Sequence, residues 1–176
     1  MSADLLLIQK MKQGDEDAFD LFVRKYYGDI LSYCRYHCPD QNYSEDLTQE
    51  AFARFFAKLS DYRHTGKAKN YLYTIAGNLC RDYFKKLRES PLEDDELSRQ
   101  LEAEEPPDEE TADRLLIEQA LAALQEEFRE VVILYYFQEL KLTEIADTLQ
   151  IGLPLVKYRL KQAKTQLKKY IRCADG

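Results

Sequence analysis

Residues 142–164 read L-T-E-I-A-D-T-L-Q-I-G-L-P-L-V-K-Y-R-L-K-Q-A-K, and their spacing decides the fold. Thr143 stands as the cap of a short helix whose inner face carries Ile145, Ala146 and Leu149, since residues three and four apart share one side of a helix. Ile151 and Gly152 fall in a tight turn. Pro154 then sits in the first turn of a second helix, where a missing N–H is tolerated. In that helix Val156, Leu160, Ala163, Leu167 and Ile171 form one buried stripe. The rest of its surface is Lys157, Tyr158, Arg159, Lys161, Gln162, Lys164, Lys168, Lys169 and Arg172, with no acid between Lys157 and Arg172. A charged helix face is usually only a solvated one. Here it follows a tight turn between two short helices, the arrangement that places a basic recognition helix in the major groove of DNA.

Two further helices, over 112–124 and 126–138, complete a four-helix unit around this motif. Toward the other end of the chain, Leu5, Ile8 and Met11 mark a short helix over 2–13 that Gly14 ends. A longer helix over 15–37 has a continuous apolar face from Ala18 to Cys34. Ser44 reads as the N-cap of the next helix, with Glu45 and Asp46 in its first turn, where the helix dipole favours anions. Leu47, Ala51, Phe52, Phe55 and Leu59 point to a core, leaving Asp46, Gln49, Glu50 and Ala53 in an outward stripe. Spacing alone leaves that stripe as either a solvated face or a partner surface. A polar loop over 60–67, with Tyr62, Arg63 and His64, leads to a helix over 68–88. Its inner face is Leu72, Ile75, Ala76, Leu79 and Tyr83, and its end carries Arg81, Lys85, Lys86 and Arg88 against Asp82 alone. Cations near a helix C-terminus are stabilising in themselves. Combined with Tyr62, His64, Tyr71 and Tyr73, they also suit single-stranded nucleic acid, in which bases stack on aromatic rings and phosphates follow cations.

The whole chain, 176 residues with 25 Lys plus Arg against 32 Asp plus Glu, has a formal net charge of −7, which excludes a uniformly basic nucleic-acid coat. The acid is concentrated in 91–113, where eleven acids meet one Arg, while 1–90 and 114–176 are close to neutral. Such a block, with Pro91, Pro106 and Pro107 and little periodicity, reads as an extended linker. With 5 Pro and 6 Gly the chain is too poor in turn formers for a β architecture. The fold class is therefore all-α: two small helical domains, 1–90 and 114–176, joined by the acidic linker 91–113. The opening apolar run of four residues is far short of a signal or membrane segment, so a cytoplasmic protein is expected. Cys34, Cys38, Cys80 and Cys173 are scattered. Cys34, His37 and Cys38 could begin a zinc site, but no second compact Cys/His pair completes it, so no metal and no cofactor are expected.

In order along the chain, these features resemble the extracytoplasmic-function (group IV) sigma factors of bacterial RNA polymerase, in the sigma-70 family. Residues 44–52, S-E-D-L-T-Q-E-A-F, look like the family's signature helix for docking on the clamp coiled coil of the polymerase. That likeness turns Asp46, Gln49 and Glu50 into polymerase-binding candidates. Residues 71–83, Y-L-Y-T-I-A-G-N-L-C-R-D-Y, are similar to the family pattern W-L-x-x-I-A-x-N-x-x-x-D-x-x-R, with Asn78, Asp82 and the basic end in register. Tyr71 replaces the usual tryptophan, and Gly77 stands where a basic residue is frequent. Residues 124–129 and 142–164 resemble the helix-turn-helix that reads the upstream promoter element, with Pro154-Leu155 in place of the common Gly-Thr.

The resemblance implies a dissociable promoter-specificity subunit that catalyses nothing by itself. Arg63, His64, Tyr71, Asn78, Arg81, Lys85 and Lys86 would meet the downstream promoter element. Lys157, Tyr158, Arg159, Lys161, Gln162 and Lys164 would meet the upstream one. Implied partners are core RNA polymerase, through its clamp coiled coil and flap, promoter DNA and an anti-sigma factor, with no membrane insertion. The alternative is a helix-turn-helix regulator that binds DNA without being a polymerase subunit. The net −10 of the linker also makes it a candidate competitor for the two basic surfaces.

Overall fold

The computed structural model describes residues 3–38, 40–63, 67–89 and 109–175, and all the regular structure in them is helical. The first four helices are α1 (Ala3–Lys12), α2 (Glu16–His37), α3 (Gln41–Ala57) and α4 (Ala68–Glu89). After the acidic segment come α5 (Glu109–Ala123), α6 (Glu126–Val132) running into a π-helical turn (Ile133–Phe137), α7 (Leu142–Leu149) and α8 (Leu153–Asp175). The linker expected over 91–113 falls outside the described residues as far as 108. Residues 109–113 belong to α5, where Glu109 and Glu110 occupy the first turn and complement the positive end of the helix dipole.

Local chemistry sets the helix ends. Gly14, at φ +85°, adopts the left-handed conformation that stops α1. Asp15 caps α2, its carboxylate accepting from the backbone N–H of Asp17 at 3.0 Å and Ala18 at 3.4 Å. Two caps differ from the sequence expectation. Helix α3 starts earlier than Ser44 because Asp40 supplies the capping carboxylate, which accepts from Tyr43 N at 3.1 Å. Ser44 is instead fully buried, and its hydroxyl donates to the Gln41 carbonyl. Helix α7 starts before Thr143 because the Glu144 side chain accepts from Lys141 N at 2.9 Å. After α7, Gln150 takes the left-handed conformation and Ile151 N–H donates back to the Ala146 carbonyl at 3.1 Å. That closure makes the turn tight.

Helices α1–α4 pack around an aromatic centre. The Phe22 ring is fully buried, stacks on Phe55 at 4.9 Å and meets Phe52, Phe56 and Tyr26 edge-on. Offset and edge-on pairs suit the ring quadrupoles and add to the burial of apolar area. Helices α5–α8 close over Val131, Leu134, Ile145, Val156 and Ala163, all buried. The two sets form one continuous buried cluster, joined where α2 and α4 meet α6, its π-turn and α7. Tyr36 of α2, for example, stacks on Phe137 of the turn at 4.2 Å.

Because the Phe22 site is closed on all sides, Phe22→Ala leaves a cavity that the neighbouring rings cannot fill. Urea denaturation is expected to show a loss of about 3–5 kcal/mol.

Candidate nucleic-acid interface

Asp46, Gln49, Glu50 and Ala53 are exposed on one side of α3, with Ala51, Phe52 and Phe55 buried on the other. The periodicity thus leaves the acidic and amide stripe on the surface. Within it only Glu50 is engaged in an ion pair among the described residues, with Arg54 one turn on at 3.0 Å. Both side chains are half exposed, so the pair contributes little stability.

The strand-binding candidates differ in exposure and in partners. Arg63, Asn78, Lys85 and Lys86 are exposed. Tyr71 is half-buried, its ring 5.4 Å from Tyr62 and 5.8 Å from Phe55, so one edge is open to a cleft. That cleft is lined by Asp61, Tyr62, Arg63, Lys67, Asn70, Tyr71 and Thr74 from the first half of the chain, and by Asp147, Thr148 and Gln150 from α7 and its cap. His64 lies outside the described residues. Tyr73, grouped with the stacking aromatics on sequence, is fully buried instead. Its hydroxyl donates to Gln138 Oε1 at 2.7 Å, and the amide of Gln138 donates to Ser32 Oγ at 3.3 Å.

Arg81 is already engaged. Its Nη1 lies 2.7 and 2.8 Å from the two carboxylate oxygens of Glu130, and Nη2 donates to Asn78 Oδ1. Tyr33 donates its hydroxyl to the same carboxylate at 3.2 Å. Burial raises the Glu130 carboxyl above its ordinary value, against the pull of Arg81. The sequence reading did not single out Glu130. Its one local signal is an acid at the head of the apolar run Glu130-Val131-Val132-Ile133-Leu134.

On α8 the stripe Val156, Leu160 and Ala163 is buried, and Lys157, Tyr158, Lys161 and Lys164 are exposed, with Tyr158 at 57 %. Gln162 is partly buried at the edge of this face. Arg159 also stands at an edge, its guanidinium 3.6 Å from Glu127. The Lys164 ammonium lies over the rings of Tyr135 and Tyr136, at 5.9 and 5.8 Å. The second half of the chain therefore presents a basic helix with an aromatic side chain, raised on a tight turn.

Family models match both halves: Sigma-70 region 2 over residues 22–90 and Sigma-70, region 4 over residues 114–167. The ECF RNA polymerase sigma factor SigW of Bacillus subtilis is 30 % identical over 177 residues, covering 94 % of this chain and 95 % of that protein. The chain belongs to the ECF sigma factors of bacterial RNA polymerase. Like them, this sigma factor binds core RNA polymerase and directs promoter-specific transcription initiation. The RNA polymerase sigma-H factor of Pseudomonas aeruginosa is 26 % identical, covering 96 % of this chain and 94 % of its own. Two solved structures share the fold. CnrH, in complex with the cytosolic domain of CnrY, aligns with a TM-score of 0.76 at 21 % identity, covering 98 % of this chain and 99 % of that one. RpoE of Bartonella quintana, in complex with the anti-sigma factor NepR, aligns at 0.67 and 19 % identity, covering 88 % and 96 %.

Among the described residues no His/Cys/Asp/Glu group is arranged to hold a metal. Cys34, Cys38 and Cys80 are buried and Cys173 is exposed, all with free thiols. His37, beside the Cys pair, is buried against Tyr33 at a ring distance of 4.6 Å. Burial, and then the charges of Arg129 and Arg81, lower its pKa from 6.5 to about 3. The folded protein therefore holds His37 neutral where the unfolded chain would protonate it. This contribution to stability is full above pH 6.5 and falls away toward about pH 3. Between pH 7.5 and 5.5 the wild type is expected to lose about 1 kcal/mol more than His37→Phe, as read from urea midpoints.

Proposed function

We propose that residues 1–90 dock on core polymerase and capture the downstream promoter strand, that 114–176 read the upstream element, and that 91–113 link the two. The exposed stripe of Asp46, Gln49 and Glu50 supports the docking role best. Carboxylates and an amide on a rigid helix suit a basic partner surface such as the clamp coiled coil. The downstream role falls to Arg63, His64, Tyr71, Asn78, Arg81, Lys85 and Lys86. Tyr71 stands in for tryptophan at the cleft, and the cations follow the phosphates. The upstream role falls to the α8 face, where Gln162 and Tyr158 can reach base edges and Lys157, Lys161 and Lys164 the backbone. Arg159 joins them once it leaves Glu127.

This arrangement has no catalytic step of its own, and the chemistry of RNA synthesis stays with the core enzyme, in the cytoplasm. No helix of the described residues is long and apolar enough to cross a membrane. The structural likeness to sigma factors solved with CnrY and NepR supports regulation of this chain by an anti-sigma factor.

Asp46→Arg is expected to weaken core polymerase binding in a pull-down while changing stability by no more than about 0.5 kcal/mol, because the side chain is exposed. Unchanged polymerase affinity would remove the docking role.

Lys161 is exposed and makes no ion pair among the described residues, unlike Arg159. Lys161→Ala is therefore expected to flatten the dependence of log affinity on log salt for duplex DNA by about 0.9, the contribution of one phosphate, for every sequence tested. Gln162→Ala is expected to change the preference at one base position; a uniform loss across a sequence panel would contradict a reading role.

A further inference from the structure

The π-helical turn Ile133–Phe137 has no part in the roles given above, yet it reaches the DNA-reading helix. It is closed by the Gln138 N–H, which donates to the Ile133 carbonyl, five residues back, at 3.0 Å. Such a turn holds more residues than an α-helical one, so consecutive side chains diverge less around the axis, and single π-turns are frequent at functional sites. Ile133 and Leu134 are buried, and the next two residues, Tyr135 and Tyr136, both reach Lys164 of α8. Their rings meet edge-on at 4.9 Å, with the planes 89° apart.

The Lys164 ammonium stands 5.9 Å from the centre of the Tyr135 ring and 5.8 Å from that of Tyr136, within the range of a cation–π attraction. Lys157, Lys161 and Lys164, spaced four and three apart, form one exposed row along α8. Tyr135 also lines a cleft with Lys141, Thr143 and Lys157, so it stands beside both ends of that row. A ring face orients a cation without neutralising it and leaves the ammonium its donors. A carboxylate in that place would compete with a phosphate, as Glu127 does beside Arg159.

We propose that Tyr135 and Tyr136 are positioning residues for upstream promoter recognition, their rings holding the Lys164 ammonium in the row with Lys157 and Lys161 before DNA arrives. This rests on the upstream role given above to α8. A lysine on a flexible four-carbon stem loses much rotamer freedom when it is fixed on a phosphate. Lys164 meets the backbone with part of that freedom already gone, so its contact forms at a smaller entropic cost. The hydroxyl groups of the two tyrosines take no part in this hold, which needs only the rings.

The experiment measures binding of the full chain to short DNA duplexes of several sequences over a range of salt concentrations. The variants are Tyr135→Leu, Tyr136→Leu, Tyr136→Phe, Lys164→Ala, and each leucine substitution combined with Lys164→Ala. Tyr136 is 48 % exposed, so leucine there removes little buried surface, and urea midpoints record any loss of fold. Where Tyr135→Leu lowers the midpoint, the Tyr136 variants decide. Each leucine variant is expected to bind every duplex about two- to fivefold more weakly than the parent. The slope of log affinity against log salt is expected to stay as in the parent, because the cation still reaches its phosphate. Lys164→Ala is expected to flatten that slope by about 0.9, and either leucine added to it to cost nothing further. Tyr136→Phe, which keeps the ring, is expected to bind as the parent does. Parental affinity in Tyr136→Leu, an equal loss with and without Lys164, a loss in Tyr136→Phe as large as in Tyr136→Leu, or a slope that Lys164→Ala leaves unchanged would overturn the proposal. A parent that binds no duplex would remove the upstream role of α8 itself, and this proposal with it.

Discussion

The contact between Arg81 and Glu130 ties together nearly everything that sets this chain apart from two separate helical units. It lies where α4 crosses α6, with Tyr33 of α2 as third partner and Gly77 leaving the space. The Tyr73–Gln138–Ser32 chain of hydrogen bonds and the stacked Tyr36 and Phe137 flank it. Without a paired cation, Glu130 would be an acid buried among Val131, Val132, Ile133 and Leu134, and α6 could not lie against α4. Asp147, Thr148 and Gln150, from α7 and its cap, line the cleft beneath Tyr71.

Charge is sorted by destination in the remaining surface. Acids and an amide stand out on α3, cations on α8 and at the end of α4, and eleven of the 32 acids of the sequence fall between residues 91 and 113. A sigma factor has to hold a protein with one surface and nucleic acid with two others, and this separation keeps each partner from competing for the wrong face. Among the described residues, Arg81 pairs with Glu130 of α6 and Lys67 with Glu144 of α7.

Much of this was legible in the residues themselves. Apolar positions three and four apart located the helices, and the Leu142–Leu149 helix with its turn and basic partner located the DNA-reading unit. Caps were less legible, since Asp40 and Ser44 are equally good capping residues and only packing, which buries Ser44, decides between them. Tyr73 reads as a stacking ring by composition, but it lies two residues beyond Tyr71, about 200° round the helix, which turns it to the core, where Gln138 satisfies its hydroxyl. The partners of Arg81 and Lys67 were not legible at all. They lie in a different part of the chain, and no local period records a long-range ion pair. The acid in the apolar run of α6 and the glycine in α4 were the two local traces of it.

Run-off transcription tests directly whether this chain acts as the specificity subunit of a polymerase. Purified core enzyme, with and without the chain, is given a library of randomised promoter fragments and the transcribed members are sequenced. Starts are expected that require the chain and share two sequence elements at a fixed separation, one for each basic surface. Starts indistinguishable from those of core enzyme alone, or a single shared element, would contradict it.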